Sequence, residues 1–184
     1  ALLDNTTGTR LVAVGPNALG NNTTAAYNIA VGYNALFVNT VGTGNVAVGD
    51  SALYLNTGSN NTAVGSFNGS ILPALYNNTS GGNNIAVGTG ALAANTTASQ
   101  NTAVGYQSLF ANTTAGTNVA VGYQAMYANT TGANNTAIGY FALDSNTTAT
   151  GNFAAGYKAL EDCTVGHSNA ASGAYALFNV TDGD

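Results

Sequence analysis

Apolar and polar positions along this chain recur with a long fixed period, unlike the 3.6-residue period of an amphipathic helix or the 2.0-residue period of an extended strand. Anchored on a glycine that follows a small or β-branched residue, the period runs Gly15, Gly32, Gly49, Gly65, Gly88, Gly105, Gly122, Gly139, Gly156 and Gly173, and eight of its nine spacings are 16 or 17 residues. The exception, Gly65 to Gly88, is one unit plus six residues. A well-preserved copy, Asn101 to Thr117, reads N-T-A-V-G-Y-Q-S-L-F-A-N-T-T-A-G-T. Self-similarity at such a period marks a repeat architecture in which each unit buries its apolar face only against its neighbours.

Within the unit, alanine stands two residues before every anchoring glycine, from Ala13 through Ala103 and Ala120 to Ala171. A position that admits only a methyl group is tightly enclosed. The residue just before the glycine is Val or Ile in eight copies, Val14 to Ile138, and the one three before it is mixed (Val12, Ile29, Val46, Thr62, Ile85, Thr102). This alternation predicts a short strand with both faces occupied. Four residues after the glycine comes a column of leucines (Leu19, Leu36, Leu53, Leu92, Leu109, Leu143, Leu160, Leu177), with Met126 and Leu75 filling the remaining copies. Helix is the competing reading, since Tyr-Gln-Ala-Leu-type segments are locally helix-compatible, but Gly, Asn and Thr-Thr interrupt each unit and favour strand and turn.

Seventeen residues suit one turn of a coil whose turns stack at roughly 4.8 Å, giving a rod about 50 Å long for ten turns. Each turn is expected to hold two short strands and two bends. The expected fold is therefore all-β: a parallel β-solenoid, or β-roll, of about ten 17-residue turns forming one domain over residues 1–184, with a loop insertion at 66–73 and a degenerate terminal repeat at 161–184.

Asparagine occupies two columns where bends are needed, one opening the units (Asn101, Asn118, Asn135) and one after the aromatic segment (Asn112, Asn129, Asn146). Stacked Asn side chains can hydrogen-bond from turn to turn, so these six are predicted members of a structural ladder.

Composition narrows the function. Only 5 % of residues are charged and the formal charge is −5, with Arg10 and Lys158 the only strong bases, so no basic patch exists to neutralise phosphates. Nucleic-acid binding is not expected. Membrane insertion is not expected either, because no stretch approaches the roughly 18 apolar residues of a spanning helix, and Ala1 to Arg10 does not read as a signal segment. The hydrophobic share of 45 %, placed at fixed columns, argues against a disordered polar tract.

The N-T-A-V-G and N-N-T-A-I-G segments resemble the head repeats of YadA-like trimeric autotransporter adhesins. Their N-T-A-V-G-Y-x-A-L extension is similar to units in phage and bacterial tail-fibre-type and surface-fibre proteins. The resemblance spans nearly the whole chain, although its 17-residue unit is longer than the adhesin one. It implies a left-handed winding, a homotrimer, and a location outside the cell, on a cell surface or on a virion.

Two aromatic columns give an independent reason to expect association. One contains Tyr33, Tyr106, Tyr123, Tyr140 and Tyr157, the other Phe37, Tyr54, Tyr76, Phe110, Tyr127 and Phe178. A thin solenoid cannot bury these, the valines and the leucines together. Tyr106, Tyr123, Tyr140, Phe110 and Tyr127 are thus candidate inter-chain contacts, although tyrosines can also cover one face of a rod with their hydroxyls in water.

Catalysis needs convergent titratable groups, and the chain offers one histidine, one cysteine and scattered acids. Cys163 and His167 are four apart, but Cys163 replaces a ladder Asn and His167 falls in a bend, so terminal-repeat drift explains both. The bends carry N-T-T-A-G and not the carboxylates of calcium-binding repeats. No enzyme, metal or cofactor is expected. A threonine column from Thr6 to Thr181 could form an ice-facing hydroxyl array, but its neighbour column (Thr97, Thr114, Thr131, Thr148) should point the opposite way. The N-x-[ST] sequons, at Asn5, Asn22, Asn78, Asn95, Asn112, Asn129 and Asn146 among others, would suit glycosylation, unless these side chains face inward as the ladder.

Loops on rigid scaffolds often carry function, so the insertion, with Phe67, Asn68, Ile71 and Leu72, is a candidate recognition loop or inter-chain lock. Charge gathers in Lys158, Glu161, Asp162, Asp182 and Asp184, as in a cap or a junction. The sequence thus predicts a structural and adhesive fibre segment with a possible cell-surface or glycan receptor. The alternative is an end-to-end filament subunit.

Overall fold

A computed structural model describes residues 1–180; Thr181, Asp182 and Asp184 lie outside the described residues. Ten three-residue strands run in chain order: β1 Val12–Val14, β2 Ile29–Val31, β3 Val46–Val48, β4 Thr62–Val64, β5 Ile85–Val87, β6 Thr102–Val104, β7 Val119–Val121, β8 Thr136–Ile138, β9 Phe153–Ala155 and β10 Ala170–Ser172. They form one parallel sheet in the order β1 to β10. Each alanine pairs with the alanine one turn on, as Ala103 does with Ala120 and Ala120 with Ala137. Consecutive parallel neighbours joined by one loop each make a β-solenoid, as the period predicted.

Each turn contains one strand, where the sequence suggested two. The far side is built from tight turns in which Ala125 N–H donates to Gly122 O and Asn129 N–H to Met126 O, while Met126 N–H donates to Ala142 O on the next turn. The leucine column sits here in the left-handed region, with φ 49° at Leu109, 54° at Met126 and 55° at Leu143. A left-handed L-residue costs roughly 1–2 kcal/mol. Full burial of a leucine gains about 1.5–3 kcal/mol, and every member from Leu19 to Leu160 is fully buried, so burial carries the balance.

The core is thin. It consists of the strand alanines, the leucine column and the alanine that precedes each leucine, such as Ala125 beside Met126. The anchoring glycines let the turns approach: Gly122 has φ +139°, and a Cβ built there would lie 2.3 Å from the Gly139 carbonyl oxygen.

The strand is not occupied on both faces. Its alanine points inward, and the two flanking residues form outer rows. One row runs Val12, Ile29, Val46, Thr62, Ile85, Thr102, Val119, Thr136, Phe153, Ala170; the other runs Val14, Val31, Val48, Val64, Val87, Val104, Val121, Ile138, Ala155, Ser172. All are exposed or half-buried.

Irregular units fall where the coil can absorb them. In the 16-residue unit the exposed corner residue is missing, so Asn56 reaches Gly58 O two residues on, where Asn39 reaches Gly42 O three residues on. The six-residue insertion leaves β4 and β5 in register, Ala63 against Ala86.

Candidate functional site

The asparagine columns form two continuous ladders. In the opening column, Asn118 N–H donates to Asn101 Oδ1 at 3.0 Å and Asn135 N–H to Asn118 Oδ1 at 2.9 Å. In the second column Nδ2 donates to Oδ1 of the preceding turn: Asn112 to Asn95, Asn129 to Asn112 and Asn146 to Asn129, at 3.1, 3.0 and 2.7 Å. Both ladders converge on one carbonyl per turn. Ala115 O accepts from Asn101 and Asn112, Gly132 O from Asn118 and Asn129, and Ala149 O from Asn135 and Asn146. All six side chains are fully buried, and these bonds offset a desolvation that an isolated amide could not afford.

Burial in the ladder removes six of these seven sequon nitrogens from reach, while Asn60, Asn68 and Asn134, which also open N-x-[ST] triplets, are exposed. Asn22, Asn78, Asn95, Asn112, Asn129 and Asn146 are fully buried and Asn5 is half-buried. Thr113 and Thr130 turn their hydroxyls along the rod, donating to the carbonyls of Thr130 and Thr147 at 3.3 and 3.0 Å.

The aromatic columns stack on themselves. Tyr106, Tyr123, Tyr140 and Tyr157 lie with successive centroids 5.2, 4.9 and 5.6 Å apart and rings within 18° of parallel, and Phe110 stacks on Tyr127 at 5.3 Å. Stacking still leaves Tyr123, Tyr140 and Tyr157 exposed by 40, 44 and 43 %.

In the insertion, Asn68 Oδ1 accepts from the N–H groups of Ser70 and Ile71 at 3.1 and 2.8 Å, and Phe67 is exposed. Ile71 folds back: its Cγ2 lies 3.0 Å from where a Cβ of Gly90 would be. The turn beneath is small, with Thr89, Gly90 and Ala93 where the next unit has Tyr106, Gln107 and Phe110. Ile71 of this candidate loop therefore covers the neighbouring turn.

Cys163 and His167 do not meet. Cys163 is buried with Sγ donating to Gly166 O at 3.5 Å, and burial pushes its thiol pKa up. His167 is exposed, its Nδ1 accepting from Thr150 N–H at 3.0 Å.

Sequence reasoning missed one cluster. Asp144 and Glu161 take the aromatic column's position on adjacent turns, between Tyr127 and Phe178. Lys158 pairs with Glu161 Oε1 at 2.9 Å, while Asp144 Oδ1 and Glu161 Oε2 are buried without a partner. Burial, then the Glu161 charge, push the Asp144 carboxyl up to about 6, against the pull of Lys158. The signal was present as two acids seventeen apart in an apolar column.

Among the described residues no three His, Cys, Asp or Glu side chains gather as a metal site, no pocket is found, and no helix is long and apolar enough to cross a membrane. Comparison with protein-family models, with curated proteins and with solved structures finds no match in any of the three.

Proposed function

We propose that this chain is a structural and adhesive fibre segment: a self-associating rod that spaces or displays contacts on an extracellular, cell-surface or virion surface, and not an enzyme. The observation that carries this reading is the turn-to-turn bonding. At the junction between β6 and β7, Thr102, Leu109, Ala111 and Thr113 donate backbone N–H groups forward while Gly122, Gln124 and Asn134 donate back, beside both asparagine ladders. Separating two turns must break this set together, which suits a load-bearing spacer.

Self-association, as a homotrimer by the resemblance to adhesin head repeats or as an end-to-end filament, belongs to this proposal, as does a cell-surface or glycan receptor. The fibre reading is favoured over ice binding because threonine hydroxyls such as those of Thr113 and Thr130 are spent along the rod. Mass in solution tests the assembly: a discrete oligomer supports the fibre segment, very large species support the filament, and a monomer at all concentrations overturns both. Adhesion of the labelled rod to cells or glycan surfaces tests the adhesive part, which fails if no surface retains it above a scrambled control.

A further inference from the structure

We propose that Asn68 and Gly69, in the insertion, form a site of spontaneous self-modification, at which the Gly69 backbone nitrogen attacks the Asn68 side-chain amide and converts the asparagine to aspartate or isoaspartate. This chemistry is independent of the fibre reading above.

The loop holds each reacting group ready. Asn68 is the only asparagine in the chain that is followed by glycine, and both residues are exposed. Glycine carries no side chain to shield its own nitrogen, and the space around it is open: even a Cβ added at Gly69 would find no atom within 4 Å. The Gly69 N–H donates to no group among the described residues. Asn68 Oδ1, in contrast, accepts from the N–H groups of Ser70 and Ile71 at 3.1 and 2.8 Å. Negative charge develops on that oxygen when the amide carbon is attacked, so the two donors are placed as those of an oxyanion hole are. Nucleophile and amide sit on neighbouring residues, which makes the step unimolecular.

The exposed asparagines of the regular turns lack the free nucleophile. After Asn60, the N–H of Asn61 donates to Asn45 Oδ1 at 2.9 Å, and after Asn134 the N–H of Asn135 donates to Asn118 Oδ1 at 2.9 Å. In the second ladder column the N–H groups of Thr113 and Thr130, which follow Asn112 and Asn129, donate to Thr130 O and Thr147 O at 3.3 and 2.9 Å. Cyclisation at these positions would have to break a turn-to-turn bond first. The same ladders that order the rod therefore protect its amides, and the insertion stands outside that protection.

Hydroxide takes the Gly69 N–H proton, and the nitrogen forms a bond to Asn68 Cγ while the carbonyl pair moves onto Oδ1. The pair returns as the Cγ–Nδ2 bond breaks, and Nδ2 takes a proton from water and leaves as ammonia, regenerating hydroxide. Water then opens the five-membered succinimide at one of its two carbonyls. Opening at Cγ gives aspartate; opening at the backbone carbonyl gives isoaspartate, in which the chain runs through the former side chain. The net change is one water gained and one ammonia lost, with no oxidation or reduction. The product places a negative charge in the segment 67–72, which has none, beside the exposed Phe67.

The test ages the folded chain in mildly alkaline buffer, digests it with pepsin in acid, where cyclisation stops, and weighs the fragments. The fragment holding Asn68 should gain the mass of water less that of ammonia, with isoaspartate detectable by enzymatic methylation from S-adenosylmethionine. Fragments holding Asn60 and Asn134 should stay unchanged. Asn68→Gln, which would need a larger ring, should abolish the gain, and Gly69→Ala should slow it roughly tenfold by hindering the approach of the nitrogen. In the same chain unfolded by denaturant, Asn68 should react no faster than in the rod, whereas Asn60 and Asn134 should become reactive. An unchanged Asn68, an Asn68 that reacts faster once the chain is unfolded, or equal modification of Asn60 and Asn134 in the folded chain overturns the proposal.

Discussion

Asn146 and Cys163 occupy the same corner position on successive turns, and Asn146 Oδ1 is buried there without a hydrogen bond. Every earlier member from Asn22 to Asn129 has its Oδ1 capped by the Asn of the following turn. The thiol donates to Gly166 O instead and cannot serve both acceptors. An unsatisfied buried acceptor costs about 1–3 kcal/mol. Cys163→Asn should restore the ladder and raise stability by about 1–2 kcal/mol, a gain of roughly 3–6 °C in Tm for a chain of this size. A thermal melt that shows an unchanged or lowered Tm would count against the ladder as a source of stability.

The Asp144–Glu161 pair makes the rod respond to pH. Burial and the Glu161 charge push the folded carboxyl of Asp144 up to about 6, above the ordinary aspartate range, so between the two values the native state holds a proton that the unfolded chain has lost. The stabilising contribution is present in full below the unfolded pKa and is lost as pH rises through about 6. A shift of this size corresponds to at most about 3 kcal/mol; discounted for the partial exposure of the group it is about 1 kcal/mol. Tm should therefore be higher at pH 5 than at pH 7.5, and Asp144→Asn should flatten the difference and raise the Tm at pH 7.5. A parent whose Tm is the same at both values would remove the pair as a pH-sensitive element.

The period, the alanine and leucine columns and the asparagine ladders were legible because each repeats once per turn, so a single constraint is written ten times. Other features were not, for physical reasons. Leucine rarely adopts a left-handed φ, so nothing in L-F-A announced that Leu109 would, and the far side read as a second strand. Val-Ala-Val reads as a buried strand because hydrophobic pattern does not distinguish a core from an unpartnered face, whereas in the fold Val14 stands in solvent. The cover formed by Ile71 could have been found: the unit after the insertion loses its Tyr, Gln and aromatic residues together at Thr89, Gly90 and Ala93.

Spacing between turns sets a second, sharper stability hierarchy. At Gly122 a methyl group would meet the Gly139 carbonyl at 2.3 Å while holding φ at +139°. Gly122→Ala should thus cost about 3 kcal/mol or more, comparable to the 2–5 kcal/mol expected when Leu109→Ala opens a cavity in the core. Thr131→Ala, at an exposed corner, should stay within about 0.5 kcal/mol of the parent. Chemical denaturation of the three variants checks the order; a Gly122→Ala as mild as Thr131→Ala would mean that the turns can separate without loss.

Pro73 explains why the insertion exists where it does. Excising Phe67 to Leu72 would leave Gly65-Ser66-Pro73-Ala74-Leu75, matching Gly105-Tyr106-Gln107-Ser108-Leu109 in length. In the regular turns, however, the residue two after the glycine has positive φ, as at Asn34 (52°), Ser51 (58°) and Gln107 (53°). The proline ring fixes φ near −65° and cannot take that place. Excision of 67–72 alone should then destabilise the rod by about 3 kcal/mol or more, because the shortened turn cannot close. Excision combined with Pro73→Asn and Gly90→Gln should recover most of the parent Tm, since the asparagine accepts the left-handed conformation and the glutamine fills the space Ile71 left. Equal melts for the two excision variants would show that the proline is not what the loop accommodates. Unchanged adhesion by the repaired variant would show that Phe67 and Asn68 are no receptor contact.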